Sequence, residues 1–221
     1  KSGLLNAPLS GEGHCLGEVF AAAAPDMLVC GGMPGAEARA VASGRGLRLH
    51  DYGAREELLA ANAVATAEGA IGVLLGETER TLWRSRVLVT GWGHVARALA
   101  PRLAALGAEV CVCARSPGAR AWIAAEGLEA LGLPELQDAL PGCGIVINTV
   151  PAPMLTAARV AGMKPDALIL ASAPGGTDFE AARAFGIRAL TAPGLPGKWS
   201  PQTAAEAVRD AVYNILEDEK A

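Results

Sequence analysis

The string Gly91-Trp92-Gly93-His94-Val95-Ala96 follows the apolar run Arg86-Val-Leu-Val-Thr90 and opens a stretch of helical periodicity, His94–Leu106. Gly-x-Gly-x-x-Ala between a strand and a helix is a dinucleotide fingerprint, strong in that setting and weak outside it. Gly91 permits the tight turn, Gly93 lets the backbone approach a pyrophosphate, and Ala96 lets the helix pack closely on the strand. The backbone of Trp92, His94 and Val95 completes the loop. The helix N-terminus then offers N–H groups and partial positive charge to the phosphates. A glycine-rich turn with no ligand is the plain alternative.

The next strand bears on which dinucleotide. An NAD site carries Asp or Glu about 20 residues on, to bind the ribose 2′-hydroxyl. Here the strand Glu109–Cys113 ends in Ala114-Arg115-Ser116, with no acid. Arg115 can pair with a 2′-phosphate and stack on adenine, Ser116 can donate a hydrogen bond, and Arg120 stands about one turn further on. The expectation is NADP, with NAD as the alternative cofactor and a solvated arginine as the bland reading. Thr149-Val150-Pro151 follows the strand Gly144–Asn148, where the loop of such folds covers the adenosine ribose and the nicotinamide side of the cofactor, and Val150-Pro151 suits a van der Waals wall; a plain turn reads equally well.

Other candidates lie further along. Gly175 and Gly176 precede Thr177-Asp178 and make a second turn that could take an anion, while Thr177 with Glu180 is spaced as a capping box. Lys198, in the Pro- and Gly-rich loop Ala192–Pro201, could bind a carboxylate or transfer a proton; a solvated surface lysine is the alternative. No Gly-x-Ser-x-Gly, His-Glu-x-x-His or P-loop pattern occurs. His14-Cys15 lacks the ligand cluster a metal site needs, so no metal is expected.

The elements that must position these residues alternate regularly. Strands are predicted at 86–90, 109–113, 128–131, 144–148, 167–171 and 187–190, with helices at 94–106, 117–126, 134–140, 154–162 and 177–185 between them. Such repeats imply parallel strands with right-handed crossovers, a doubly wound α/β (Rossmann) sheet. Upstream, the runs 27–30 and 46–50 read as strands and 36–43 as a helix. Two short strands are too few for an independent sheet, so this is a smaller, incomplete α/β domain. A helix over 61–76, capped by Asn62 or Thr66, links the two parts, and a last helix spans Thr203–Glu217 with Thr203 and Glu206 as a capping box. The expected domains are 1–76, a substrate-side domain with its linking helix; 77–204, the dinucleotide domain; and 205–221, a helix returning toward the first domain. The two long helices would form a hinge.

Composition narrows the function classes. The chain has 221 residues, net charge −4, 51% apolar and 4% aromatic content, and 27 glycines. A mildly acidic balance with no basic run argues against nucleic acid or a membrane surface as partner. No uninterrupted apolar run reaches the roughly 18 residues of a spanning helix. Five cysteines without framework spacing read as reduced thiols of a cytoplasmic protein, with Cys111 and Cys113 on one strand face.

Four strings together resemble the A subunits of dipicolinate synthase, oxidoreductases of bacterial sporulation. They are Asn62–Ala70, Ile147-Asn-Thr-Val-Pro151, Pro174–Glu180 and Ala192-Pro-Gly-Leu-Pro-Gly-Lys198. The resemblance covers residue 60 onward, and implies a shortened N-terminal domain here. It further implies NADP-dependent oxidation of a dihydrodipicolinate, formed from 4-hydroxy-tetrahydrodipicolinate, to dipicolinate. The site would lie in a cleft between domains, in the mother cell of a spore-forming bacterium. A flavoprotein-like B subunit is the implied partner, and a homo-oligomer is left open. On that reading the small dicarboxylate substrate meets Lys198, the Gly175-Gly176 turn, the helix start near Thr66, and Gly194, Leu195 and Pro196. Glu68 and Lys198 are the candidate catalytic residues. Two rival readings stand beside it: another NADP-dependent 2-oxo or 2-hydroxy acid dehydrogenase, and a non-catalytic NADP-binding regulatory module.

Overall fold

The computed structural model describes residues 3–7, 10–24 and 27–220. The chain forms two compact units, one of residues up to Ala61 together with those from Ala205, the other Asn62–Ala204. Both boundaries fall inside helices, α3 (Glu56–Glu77) and α10 (Pro201–Asp218).

The contiguous unit holds β3 (Arg86–Thr90), β4 (Glu109–Cys113), β5 (Glu129–Leu131), β6 (Ile145–Asn148), β7 (Leu168–Ala171) and β8 (Arg188–Thr191). All pair in parallel, in the order β5-β4-β3-β6-β7-β8. This is the doubly wound sheet expected. The interiors of its central strands are apolar because helices cover both faces. Val87, Val89, Val112, Ile147 and Leu170 face one layer with α3, α4 (His94–Ala105) and α5 (Pro117–Ala125), through Ala67, Leu74, Leu99, Leu103 and Ile123. Leu88, Cys111, Cys113, Val146 and Ile169 face the other layer. There α6 (Leu136–Ala139), α7 (Ala157–Val160) and α8 (Phe179–Ala184) contribute Leu136, Val160 and Ala182. Each large aliphatic side chain so buried contributes about 1.5–3 kcal/mol. Cys111 and Cys143 touch at 4.0 Å between sulfurs, both thiols free, and burial pushes the Cys113 thiol up.

Three expectations need correction. The helix predicted at 61–76 begins at Glu56, so Asn62 and Thr66 are interior and cap nothing. The Thr66 hydroxyl instead donates to Asn62 O at 2.6 Å. Residues 56–60, Glu-Glu-Leu-Leu-Ala, are strong helix formers with acids in the first turn, and they extend the helix backward. Helix α8 is capped by Asp178, which accepts from Ala181 N at 2.9 Å, and not by Thr177. Helix α10 begins at Pro201, ahead of Thr203, since proline is preorganised for the first helical position. In addition, a short helix, α9 (Leu195–Trp199), interrupts the loop read as irregular.

Helix α3 has 22 residues and contains an 18-residue stretch of mean hydropathy 1.7, by length and composition apolar enough to cross a membrane. Its Ala67, Ala70 and Leu74 are instead fully buried against the sheet, and its glycines admit α9: a Cβ on Gly69 would lie 3.1 Å from Leu195 Cβ.

The other unit pairs β1 (Val29–Gly31) with β2 (Leu49–Asp51) in parallel, over α1 (Leu16–Ala21) and α2 (Ala36–Gly44), with Phe20, Ala38, Ala42 and Leu47 buried. Residues of α10 and its end are tied to it by ion pairs, Arg48 with Glu219 and Arg55 with Asp218. Glu57 is held by its own backbone N–H, by Arg55 at 2.7 Å and by Asn214 at 3.2 Å, which lowers its carboxyl from 4.5 to about 2. A carboxyl depressed on folding contributes stability above its unfolded value, lost as pH falls from 4.5 to about 2. Glu57→Gln should flatten the acid limb of unfolding in that window, followed by amide exchange in α10. Acid limbs that superpose in the two proteins would remove Glu57 from this role.

Candidate functional site

In a doubly wound sheet, ligands bind beyond the carboxyl ends of the strands where the order reverses. Here β3 starts the reversal, with β4 on one side and β6 on the other. The loops Gly91–Gly93 and Thr149–Pro151 leave the sheet at that point. Gly91 has φ 90°, in the region that favours glycine, and a Cβ there would lie 2.7 Å from Val150 Cγ2 and 2.9 Å from Thr149 Oγ1. Gly93 caps α4, and nothing lies within 4 Å of where its Cβ would project. The helix of 12 residues therefore starts under open space, which fits a pyrophosphate. Trp92 packs its ring partly onto the core, His94 is exposed, and Ala96 is fully buried against the sheet.

Arg115 is exposed at the end of β4. Ser116 caps α5, accepting from Ala119 N at 3.2 Å, so its hydroxyl proton can still be donated outward. Arg120 donates to Ala114 O at 3.2 Å and Arg115 O at 3.0 Å. It thus braces the loop that carries Arg115.

The wall after β6 is tightly fixed. Thr149 Oγ1 donates to Thr90 O at 2.6 Å, Val150 is half-buried, and Pro151 is exposed. The Gly175-Gly176 turn is not open to an anion as expected. Gly176 is buried, its carbonyl accepts from Met154 N and Leu155 N, and an added Cβ would meet Asn148 Nδ2 and the Val150 carbonyl. The turn is spent on closing the 150–155 loop; Gly175 alone is exposed.

The remaining candidates scatter. Thr66 sits mid-helix, so no helix start is offered there. Glu68 approaches Arg102 of α4 at 3.9 Å, eight residues past His94 and so about 12 Å along the helix from its N-terminus. Leu195 is 2% exposed and belongs to the core. Gly194, in left-handed conformation, opens α9, and Pro196 and Lys198 lie on that helix, the lysine exposed. Two residues went unassigned in the sequence: Thr90 and Asn148, buried polar ends of β3 and β6. The signal was there, since each closes an otherwise apolar strand just before a candidate loop. A cavity of about 650 Å³, lined by Trp83, Arg86, Lys164 and Arg188 among others, opens at the amino ends of the strands, opposite this site.

Comparison with known proteins agrees with this geometry. Residues 65–182 match the family model of the D-isomer specific 2-hydroxyacid dehydrogenase NAD binding domain. The A subunit of dipicolinate synthase from Bacillus subtilis (strain 168) is 38% identical over 169 residues, a stretch that takes in 76% of this chain and 57% of that protein. The chain thus matches less than two thirds of that relative's length. The crystal structure of the dipicolinate synthase A subunit from Bacillus subtilis superposes with a TM-score of 0.89 at 32% identity, covering 99% of this chain and 74% of that one. Its counterpart from Bacillus halodurans gives 0.87 at 32% identity, covering 97% and 75%. A transhydrogenase from Sinorhizobium meliloti, at 16% identity and a TM-score of 0.72, shares the fold. With its fingerprint, switch point and strand order in place, the chain belongs to the family of dipicolinate synthase A subunits, and its second unit is a nicotinamide-dinucleotide-binding domain.

Proposed function

We propose that the chain is an NADP-dependent oxidoreductase that converts a dihydrodipicolinate, derived from 4-hydroxy-tetrahydrodipicolinate, to dipicolinate. The observation that carries the cofactor choice is the exposed Arg115-Ser116 pair at the end of β4, where an NAD site has an acid. Family membership supports the substrate. Bound NADP would supply the hydride acceptor. Gly91, Gly93 and the start of α4 would hold its pyrophosphate, Arg115 and Ser116 its 2′-phosphate, and Thr149–Pro151 the wall beside its nicotinamide. The substrate would give up one hydride and one proton, and the pyridine so formed is aromatic, which drives the step. Lys198, exposed on α9, is assigned to a substrate carboxylate or to the proton; Glu68, beside Arg102, is the weaker candidate. A flavoprotein-like B subunit is the proposed partner and the cytoplasm of a spore-forming mother cell the proposed compartment.

Cofactor reduction assayed with 4-hydroxy-tetrahydrodipicolinate, with and without the B subunit, tests this. Dipicolinate formation supports it. Turnover of other 2-hydroxy acids only, or NADPH binding without any turnover, would replace it with the corresponding rival. Arg115→Asp should shift the NADP-to-NAD preference by about 100-fold toward NAD, since it exchanges a charge-assisted bond for a repulsion. An unchanged ratio of Kd values would remove Arg115 from cofactor selection.

A further inference from the structure

Among the described residues, the buried polar side chains are Thr90 and Asn148, both fully enclosed. The register pairs them directly, as the last residues of β3 and β6. The neighbouring strands end otherwise, β4 in Cys113 and β7 in Ala171. Among the described residues, the buried polar strand ends are thus those of the two strands that flank the crevice, Thr191 at the end of β8 being exposed. Stability alone does not call for them, because apolar residues of similar volume would fill these positions without a desolvation cost.

Both ends of the Asn148 side chain are engaged. Its Oδ1 accepts from Thr90 Oγ1 at 2.5 Å and from Val150 N at 3.2 Å. Its Nδ2 donates to Val150 O at 3.2 Å and to Thr177 Oγ1 at 3.4 Å. Its backbone carbonyl accepts from Ser172 Oγ at 3.2 Å, and the Thr90 carbonyl accepts from Thr149 Oγ1. One hydrogen-bonded unit therefore ties together the Gly91 turn, the Thr149–Pro151 wall and the Ser172–Thr177 loop. The second and third of these lie on the β6–β7 side, away from Arg115 on β4.

We propose that Asn148 and Thr90 are positioning residues for the nicotinamide half of the dinucleotide. They fix the height of the Val150 wall above the crevice and leave the adenosine half, held from β4, untouched. The proposal rests on the dinucleotide reading of the site, and it assigns the two halves of the ligand to two different supports, which meet where Gly91 N donates to Cys113 O at 2.8 Å.

The test compares NADPH with adenosine 2′,5′-bisphosphate, or NADH with AMP if the wild-type chain prefers it, by titration calorimetry alongside thermal melts. Thr90→Val removes the hydroxyl at constant volume. It should weaken dinucleotide binding about tenfold, the worth of one lost buried hydrogen bond, and leave the adenosine fragment within about twofold. Thr90→Ser, which keeps the donor, should restore dinucleotide binding. A purely structural role would weaken both ligands alike, and that result, or unchanged dinucleotide binding in a folded variant, overturns the proposal. If Thr90→Val fails to fold, Thr177→Val, which removes one acceptor at the half-buried end of the network, decides by the same comparison. A wild-type chain that binds neither ligand would overturn the dinucleotide reading and this inference together; wild-type binding with unselective variants overturns this inference alone.

Discussion

Gly91→Ala is expected to abolish dinucleotide binding, raising Kd by more than about 100-fold, and to lower stability by about 3 kcal/mol. Two costs combine. At φ 90° a Cβ strains the backbone, and it would sit 2.7 Å from Val150 Cγ2 and 2.9 Å from Thr149 Oγ1. The relief open to the chain is to push the wall of the crevice away from the turn, which widens the site the pyrophosphate and nicotinamide ribose must bridge. Gly93→Ala provides the contrast. Open space surrounds its Cβ position, so the fold should melt normally while the phosphate approach is obstructed. Calorimetric titration with NADPH and a urea melt on both variants separate the effects. Normal affinity in Gly91→Ala would show that the turn does not hold the cofactor.

The second large effect belongs to a residue whose role reversed between sequence and structure. Gly176→Ala is expected to cost 3 kcal/mol or more, about the upper range for overpacking, and to lower the thermal midpoint accordingly. The added methyl would run into the Val150 carbonyl and the Asn148 amide, backbone and a fully buried side chain that cannot swing aside. Gly175→Ala meets no atom within 4 Å and bears only the strain of φ 75°, about 1–2 kcal/mol. Urea melts rank the two. If Gly175→Ala were the more damaging, the turn would be a strained surface feature and not the closure of the 150–155 loop.

Much of the dinucleotide unit was legible because its strands are short apolar runs with glycine-marked turns between them, and parallel topology follows from the alternation alone. The fingerprint was legible because strand, turn and helix are contiguous. The Gly175-Gly176 turn was misread for the opposite reason. Its function is set by the Val150 and Met154 backbone, more than twenty residues upstream, and nothing in a local glycine pair distinguishes an open cradle from a closed contact. Thr66 was misplaced because a propensity reading stops at the first plausible cap, whereas the helix continues back through Glu56. Leu195 looked like part of a loop, yet it fills the space that Gly69 vacates on α3. Thr90 and Asn148 are neighbours only through the register of two strands separated by all of β4 and β5.

The unit built from two distant stretches of sequence has a consequence for biosynthesis. Residues 62–204 are contiguous and can complete their sheet as soon as they emerge. Residues up to Ala61 are made before them, but the ion pairs of Arg48 with Glu219 and Arg55 with Asp218 cannot form until α10 has been translated. At ordinary elongation rates that delay is on the order of ten seconds. During it the earlier-made segment is the less finished of the two, and it closes only after the part that follows it has left the ribosome.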